Sequence, residues 1–118
     1  MPNIYGAPEI SVQDLAAKFT NGDTPIVLDV RELHELRRAS LGDRATVVPL
    51  SELAAKQTAI LPAAALDQDA EILVMCHHGV RSAQVTAWLL QQGWTNVLNV
   101  AGGIDAYAKE IDASVGMY

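Results

Sequence analysis

The sequence is poor in three features, and each shortage excludes a class of protein. A single cysteine among 118 residues cannot form an internal disulfide, so nothing points to an oxidising compartment. Lys and Arg together number only eight, the net charge is −6, and no basic patch suited to nucleic acid is present. No apolar run approaches the length of a membrane span, and the opening "MPNIYGAPEI" has no signal-peptide pattern. We therefore expect a cytoplasmic protein with neither nucleic-acid nor membrane partners.

The composition favours one folded domain. Half of the residues are hydrophobic and 19% are charged, which is typical of a chain that folds rather than remaining disordered. A chain of 118 residues can bury a core unaided but has no room for a second core. We expect a single domain over residues 1–118.

Short apolar runs alternate with stretches of helical periodicity along the chain. Four runs have the composition of buried strands: "PIVLDV" (25–30), "ATVVPL" (45–50), "AEILVM" (70–75) and "NVLNV" (96–100). Five helices are predicted before, between and after them, in "SVQDLAAKF", "RELHELRRA", "SELAAKQTAIL", "SAQVTAWLLQQGW" and "IDAYAKEI", with Ser11 and Ser51 as amino-terminal caps. We interpret "LPAAALDQDA" (61–70) as a flexible connection. The alternation predicts an α/β fold, with a parallel sheet between two helical layers and its chemistry at the carboxyl ends of the strands.

The cysteine lies at one of these strand ends, in "MCHHGVRS" (75–82). Gly79 permits a sharp turn there, and the successive backbone N–H groups of such a turn form a nest for an anion, with a helix amino terminus behind it. A Cys76 thiolate in that nest would be stabilised, and so would any negative atom attached to it. Arg81 and a partly protonated His77 or His78 would add positive potential. The stretch therefore predicts an activated cysteine nucleophile.

Two other interpretations of this cysteine are less favoured. A buried structural cysteine usually has apolar neighbours, whereas the loop side of Cys76 is polar. A metal site made of Cys76, His77, His78 and His34 would require adjacent residues to bind one ion, and neither a CxxC nor an HxxxH spacing occurs. We therefore predict neither a metal nor a cofactor.

The Cys76 stretch belongs to a longer, ordered set of motifs. The segment "VMCHHGVRSAQVTAWLLQQGWTNVLNVAGGIDAY" (74–107) contains a strand, a Cys-x-x-Gly-x-Arg-Ser loop, a helix, a second strand and a Gly-Gly turn, and "ISVQDLAAKF", "IVLDVRELHEL" and "VVPLSEL" precede it. In this content and order the chain resembles the rhodanese family of sulfurtransferases, from about Ile10 to Tyr107. The resemblance implies a rhodanese-like three-layer fold, with a five-stranded, mainly parallel sheet and helices on both faces. One block departs from the family, because "SLGDRATVVPL" (40–50) stands where members usually carry Gly-His-Ile-Pro-Gly-Ala before the strand, and we expect a local difference there.

The resemblance also implies a site and a reaction. Cys76 would be the catalytic nucleophile that carries a persulfide, whose outer sulfur is held by a substrate-binding loop of His77, His78, Gly79, Val80, Arg81 and Ser82. Sulfur would come from thiosulfate or a persulfide donor and pass to a thiol. Since the chain has no second cysteine, that acceptor must be external, such as a small thiol or a partner protein's cysteine. The alternative is a rhodanese-like protein-binding or sulfur-relay module without free-standing thiosulfate activity.

The length of the loop and the role of Arg81 complete the prediction. Four residues separate Cys76 from Arg81, whereas the related phosphatases and arsenate reductases resemble one another in a loop with five, which encloses a tetrahedral oxyanion. The shorter loop favours a single sulfur atom as its cargo. Asp29, Arg31 and Glu35 are predicted to support the loop, with Asp29 or Glu35 as the ion-pair partner of Arg81. Direct contact between Arg81 and an anionic donor is the alternative.

Overall fold

The computed structural model describes residues 3–118, so Met1 and Pro2 of the expected 1–118 domain lie outside the described residues. It contains one sheet of five strands, and every strand pair is parallel. The strands are β1 (Glu9–Ile10), β2 (Ile26–Asp29), β3 (Thr46–Val47), β4 (Ile72–Met75) and β5 (Val97–Val100), arranged in the order β1-β5-β4-β2-β3. The predicted fold class is confirmed.

Helices cover both faces of this sheet. The α-helices are α1 (Val12–Thr20), α2 (Leu50–Lys56), α3 (Val80–Gln91) and α4 (Gly103–Glu110). Short 3-10 helices span Leu33–Arg37, Gly42–Arg44, Gln57–Ile60, Ala63–Leu66 and Ala113–Val115. No helix within residues 3–118 is both long and apolar enough to cross a bilayer.

The core forms two clusters, one on each face of the sheet. In β4, Leu73 and Met75 belong to the cluster shared with α1 and α4, while Ile72 and Val74 belong to the cluster shared with α2 and α3. All four side chains are fully buried. Side chains alternate between the faces of a strand, so a central strand covered on both sides must be apolar at every position. The cysteine loop therefore starts from a central strand that is buried on both faces along its whole length.

Several predicted elements are shorter or of another type than the pattern indicated. The helix "RELHELRRA" is a 3-10 helix confined to Leu33–Arg37. The cap at Ser11 is confirmed, since its hydroxyl accepts the Asp14 N–H, but the cap at Ser51 is wrong. Helix α2 begins at Leu50 after Pro49, and the Ser51 hydroxyl instead donates to the Glu32 carboxylate at 2.6 Å.

The segment predicted as a flexible connection is folded. Residues Ala63–Leu66 form a 3-10 helix in which Ala65 is fully buried, and the Ala65 carbonyl accepts a hydrogen bond from the Trp94 indole at 2.8 Å. Tertiary packing supplies this order, because the local sequence has no apolar periodicity that would indicate it.

Candidate functional site

The turn from β4 into α3, residues 76–82, is called the Cys76 loop below, and it lies at the carboxyl edge of the sheet. Gly79 adopts a left-handed conformation with φ of +96°, which reverses the chain within the loop. Cys76 is only 1% exposed, because it packs with the apolar cluster beneath α2 and α3. The thiol thus sits at the bottom of a polar loop rather than on the surface.

Hydrogen-bond donors converge on the Cys76 sulfur. The backbone N–H groups of Gly79 and Ser82 lie 3.1 and 3.4 Å from Sγ, and the Ser82 hydroxyl lies 3.3 Å from it. Both amides belong to the turn that opens α3, so the helix dipole adds to their effect. The two amides stabilise negative charge on the sulfur.

The amino terminus of α4 holds the carbonyl groups of the loop. The amides of Ile104 and Asp105 donate to the carbonyl oxygens of Cys76 and His77 at 2.9 and 3.0 Å. A trans peptide places its C=O and N–H on opposite sides, so the following amides, those of His77 and His78, face away from α4. Gly103 makes this approach possible, since a Cβ there would overlap both carbonyl oxygens.

Asn99 contributes a side chain from β5 that the sequence interpretation missed. It is fully buried, and its Oδ1 lies 2.5 Å from the Ser82 hydroxyl. Its Nδ2 donates to the Gly79 carbonyl at 3.1 Å and to the Glu9 carboxylate at 2.8 Å. The available signal was a single amide in the middle of the otherwise apolar run "VLNV".

Arg81 pairs with Glu35 through two hydrogen bonds. Its Nη1 and Nη2 lie 2.7 and 2.8 Å from the two carboxylate oxygens. The Arg81 guanidinium is the main cause that lowers the pKa of Glu35 to about 2, and the same contact raises the pKa of Arg81. The structure thus places one of the two carboxylates predicted for Arg81 against its guanidinium.

The other predicted carboxylate, Asp29, does not contact Arg81, and that alternative is wrong. Asp29 binds Arg31, with Nη2–Oδ2 and Nε–Oδ1 distances of 2.7 and 3.0 Å, and both residues are buried. Burial opposes the charge on Arg31, but the hydrogen bonds with Asp29 and Tyr118 outweigh it and raise the pKa of Arg31. Arg31 binds both carboxylate oxygens of Asp29, so Asp29 stabilises the chain directly after β2. Glu35, farther along the same segment, is the carboxylate that reaches the Cys76 loop.

Tyr118 is a second residue that sequence reasoning missed, and it connects these groups. Its hydroxyl donates to Glu35 at 2.9 Å and accepts from Arg31 at 3.1 Å. Its ring stacks on His77 with centroids 3.7 Å apart, and its carbonyl oxygen lies 2.8 Å from His77 Nε2. Burial, together with the charge of His78, lowers the pKa of His77, so this ring is neutral near pH 7. No sequence signal links Tyr118 to residues so distant along the chain.

His77, His78 and Asp105 form a cluster whose ligand-type atoms all lie within 4.8 Å of one another. Two of the three are already engaged, since Asp105 Oδ2 lies 3.0 Å from the Lys109 ammonium and His77 bonds to Tyr118. Cys76 and His34, which the sequence raised as further metal ligands, are not members of this cluster. These contacts account for the positions of His77 and Asp105.

Comparison with known proteins places this geometry in a family. The profile of the rhodanese-like domain matches residues 11–110. A rhodanese-like/PpiC domain-containing protein of Arabidopsis thaliana is 34% identical over 93% of this chain, and the chain spans 37% of that relative's length. A protein of Allochromatium vinosum named sulfurtransferase is 29% identical over 86% of this chain and 88% of its own. The crystal structure of a rhodanese-related protein from Thermoplasma volcanium, 34% identical, superposes with a TM-score of 0.71 over 88% of this chain and 93% of its own.

The family match covers both the Cys76 loop and the segments that hold it, from the helix at Ser11 to the end of α4. Strands β2 to β5, the Cys-x-x-Gly-x-Arg-Ser loop and the Gly-Gly turn that precedes the amides binding its carbonyls all lie within that match. The chain belongs to the rhodanese-like domain family.

Proposed function

We propose that the protein is a thiosulfate or persulfide sulfurtransferase in which Cys76 carries the transferred sulfur. The observation that carries this proposal is the convergence of the Gly79 and Ser82 amides on the Cys76 sulfur. A cysteine in such surroundings reacts as a thiolate nucleophile. The relative named sulfurtransferase, which this chain matches over most of both lengths, supports the same assignment.

The reaction has two steps. The Cys76 thiolate attacks the outer sulfur of thiosulfate, a new S–S bond forms, and sulfite leaves with the electron pair of the broken S–S bond. The enzyme then carries Cys–S–S⁻, whose terminal sulfur holds the negative charge. An external thiolate attacks that sulfur and receives it, which returns Cys76 to the thiolate. No net oxidation of the protein occurs.

The Cys76 loop is suited to the persulfide because its carbonyl groups are held away from the sulfur. The contacts from Ile104 and Asp105 fix the Cys76 and His77 carbonyls toward α4, which leaves amide hydrogens to face the other side. Preorganised N–H groups stabilise an anion without reorganisation during the reaction. The backbone from His77 to Arg81 is proposed to hold the outer sulfur, with Arg81 fixed by Glu35 rather than bound to the donor.

The acceptor is proposed to be a small thiol or the cysteine of a partner protein, because Cys76 is the chain's only cysteine. A free thiol of this kind is maintained in reducing compartments, which favours a cytoplasmic location.

Transfer of sulfur from thiosulfate to cyanide, measured as thiocyanate, tests the proposal. Cys76→Ser should abolish the transfer and leave the melting temperature close to that of the wild type, because the hydroxyl nearly fills the volume of the thiol. Transfer near the wild-type rate in this variant would overturn the assignment of Cys76. Sulfur uptake from a persulfide donor but not from thiosulfate would show a relay module.

An oxyanion substrate is disfavoured by the length of the Cys76 loop. Four residues between Cys76 and Arg81 leave fewer inward amides than a loop with five. Each phosphate oxygen left without a donor in a desolvated site would cost about 1–3 kcal/mol. The wild-type protein should therefore not hydrolyse an aryl phosphate, and robust hydrolysis without a persulfide on Cys76 would support a phosphatase instead.

A further inference from the structure

We propose that Asn99 is a positioning residue that holds the hydroxyl proton of Ser82 and thereby limits how readily Cys76 ionises. The inference rests on the proposed function, in which Cys76 reacts as a thiolate. It is carried by the buried contacts that join the sulfur to Ser82 and Ser82 to Asn99, whose amide also binds the exposed Glu9 carboxylate. Ser82 and Asn99 are both fully buried, so water does not replace any of the contacts between them.

The contacts of the Asn99 amide settle its orientation. Its Nδ2 faces the Gly79 carbonyl and the Glu9 carboxylate, at 3.1 and 2.8 Å, and both of these groups only accept hydrogen bonds. A flipped amide would set Oδ1 against two acceptors. Oδ1 therefore faces Ser82, to which it can only be an acceptor.

The Ser82 hydroxyl has one proton, and two neighbouring atoms could accept a hydrogen bond from it. Asn99 Oδ1 lies 2.5 Å from the hydroxyl oxygen, while Cys76 Sγ lies 3.3 Å away. An amide oxygen is a far better acceptor than a neutral thiol. With Cys76 as a thiol, the proton of Ser82 therefore points to Asn99, and the S–H of Cys76 points to the Ser82 oxygen.

Ionisation of Cys76 changes this arrangement. When the thiol proton leaves to solvent, the thiolate keeps the Gly79 and Ser82 amides as donors, but the Ser82 oxygen would face it with a lone pair. The hydroxyl must turn its proton to the sulfur, and this leaves Asn99 Oδ1 without a donor in a buried site. Asn99 therefore opposes the thiolate through Ser82, although it does not touch the sulfur.

The same residue also steadies the turn that supplies the donors. The Asn99 amide binds the carbonyl of Gly79, whose own amide lies 3.1 Å from the sulfur. A purely structural role for Asn99 would act through this second contact and would not depend on the Ser82 hydroxyl. That difference allows the two roles to be separated.

The test is a double-mutant cycle read by the rate of Cys76 alkylation with iodoacetamide at pH 7. Asn99→Ala should raise the rate about three- to tenfold in the presence of Ser82, since the hydroxyl is then free to donate to the thiolate. In a Ser82→Ala background the same substitution should change the rate by less than about twofold. Asn99→Leu, which keeps the shape of the side chain without an acceptor, should behave as Asn99→Ala and serves if the smaller variant does not fold.

Equal changes in both backgrounds would assign Asn99 a structural role and overturn the proposal, and so would a slower rate when Ser82 is present. Glu9→Gln is the matched control for charge, because glutamine still offers an acceptor to Asn99 and should leave the rate near that of the wild type. Alkylation needs no sulfur donor, so a failure of sulfur transfer would be seen separately from a failure of this coupling.

Discussion

Arg81 and Glu35 face each other in a two-pronged ion pair that joins the Cys76 loop to the segment following β2. Both contacts are short, at 2.7 and 2.8 Å, and the Glu35 side chain is 12% exposed while that of Arg81 is 33% exposed. Glu35 also accepts a hydrogen bond from the Glu32 amide at the amino terminus of its own 3-10 helix. One carboxylate therefore stabilises both this helix and the Cys76 loop. Paired geometry of this kind favours arginine over lysine, which cannot make both contacts in the same plane.

Arg81→Lys should therefore lower turnover and stability together. The lost second hydrogen bond should reduce the free energy of unfolding by about 1–2 kcal/mol. Urea unfolding and the thiosulfate–cyanide assay measure the two effects, with Glu35→Gln as the companion variant that should reproduce both. A rise in the thiosulfate KM alone, with an unchanged melting temperature, would instead assign Arg81 to donor binding.

The ion pair also predicts how stability depends on pH. Arg81 lowers the pKa of Glu35 from 4.5 to about 2, so the folded state favours the ionised carboxylate. The resulting stabilisation is fully present above about pH 4.5 and is lost as the pH falls toward about 2. Glu35→Gln should remove that part of the pH dependence, measured as unfolding free energies across this range. An unchanged acid profile in the variant would contradict the assignment.

Gly103 provides a stringent test of the contact between α4 and the Cys76 loop. Its φ is +62°, and a Cβ there would overlap the carbonyl oxygens of Cys76 and His77, whereas a Cβ at Gly22, with φ of +82°, meets open space. Both Gly→Ala variants bear the backbone penalty, so their difference isolates the overlap. Gly103→Ala should lose at least about 2 kcal/mol more stability than Gly22→Ala, and most of the transferase activity. Equal losses in the two variants would show that the close approach is not needed.

Tyr118 should act on the loop in two separable ways. Tyr118→Phe removes its hydrogen bonds with Glu35 and Arg31 but keeps a ring over His77, while Tyr118→Ala removes both. Burial is the main cause that lowers the pKa of His77, so the alanine variant should raise this pKa toward 6.5 and the phenylalanine variant should leave it low. Titration of the His77 ring by NMR measures this, and the same response in both variants would exclude the stacked ring as the cause.

The sequence predicted the central sheet well because β2, β4 and β5 are short apolar runs buried on both faces. Strand β1 was missed, since two residues are too few to show a pattern. Its position depends on its pairing with β5, in which Glu9 lies opposite Asn99 and Ile10 lies opposite Val100. The sequence limited the ion-pair partner of Arg81 to Asp29 or Glu35 but did not decide between them. In the folded protein Arg31 occupies the Asp29 carboxylate, which leaves Glu35 as the partner of Arg81. The sequence alone does not indicate this pairing.

Asn99 and Tyr118 mark the limit of sequence reasoning for the site. Asn99 in β5 contacts Ser82 at the start of α3, and Tyr118 contacts Glu35, which is 83 positions earlier in the chain. Neither contact has a local pattern, because the first depends on β5 lying beside β4 and α3, and the second depends on how the segment after α4 packs against the residues that follow β2. The Cys76 loop was visible because its residues are contiguous in the sequence, whereas Asn99 and Tyr118, which contact it from distant positions, were not.

Whether Cys76 carries a persulfide is tested by the intact mass of the protein before and after incubation with thiosulfate. We expect a gain of one sulfur atom on the wild-type protein, its loss after cyanide is added, and no gain on Cys76→Ser. No gain from either thiosulfate or a small-molecule persulfide, on a protein whose Cys76 is still alkylated by iodoacetamide, would contradict this expectation.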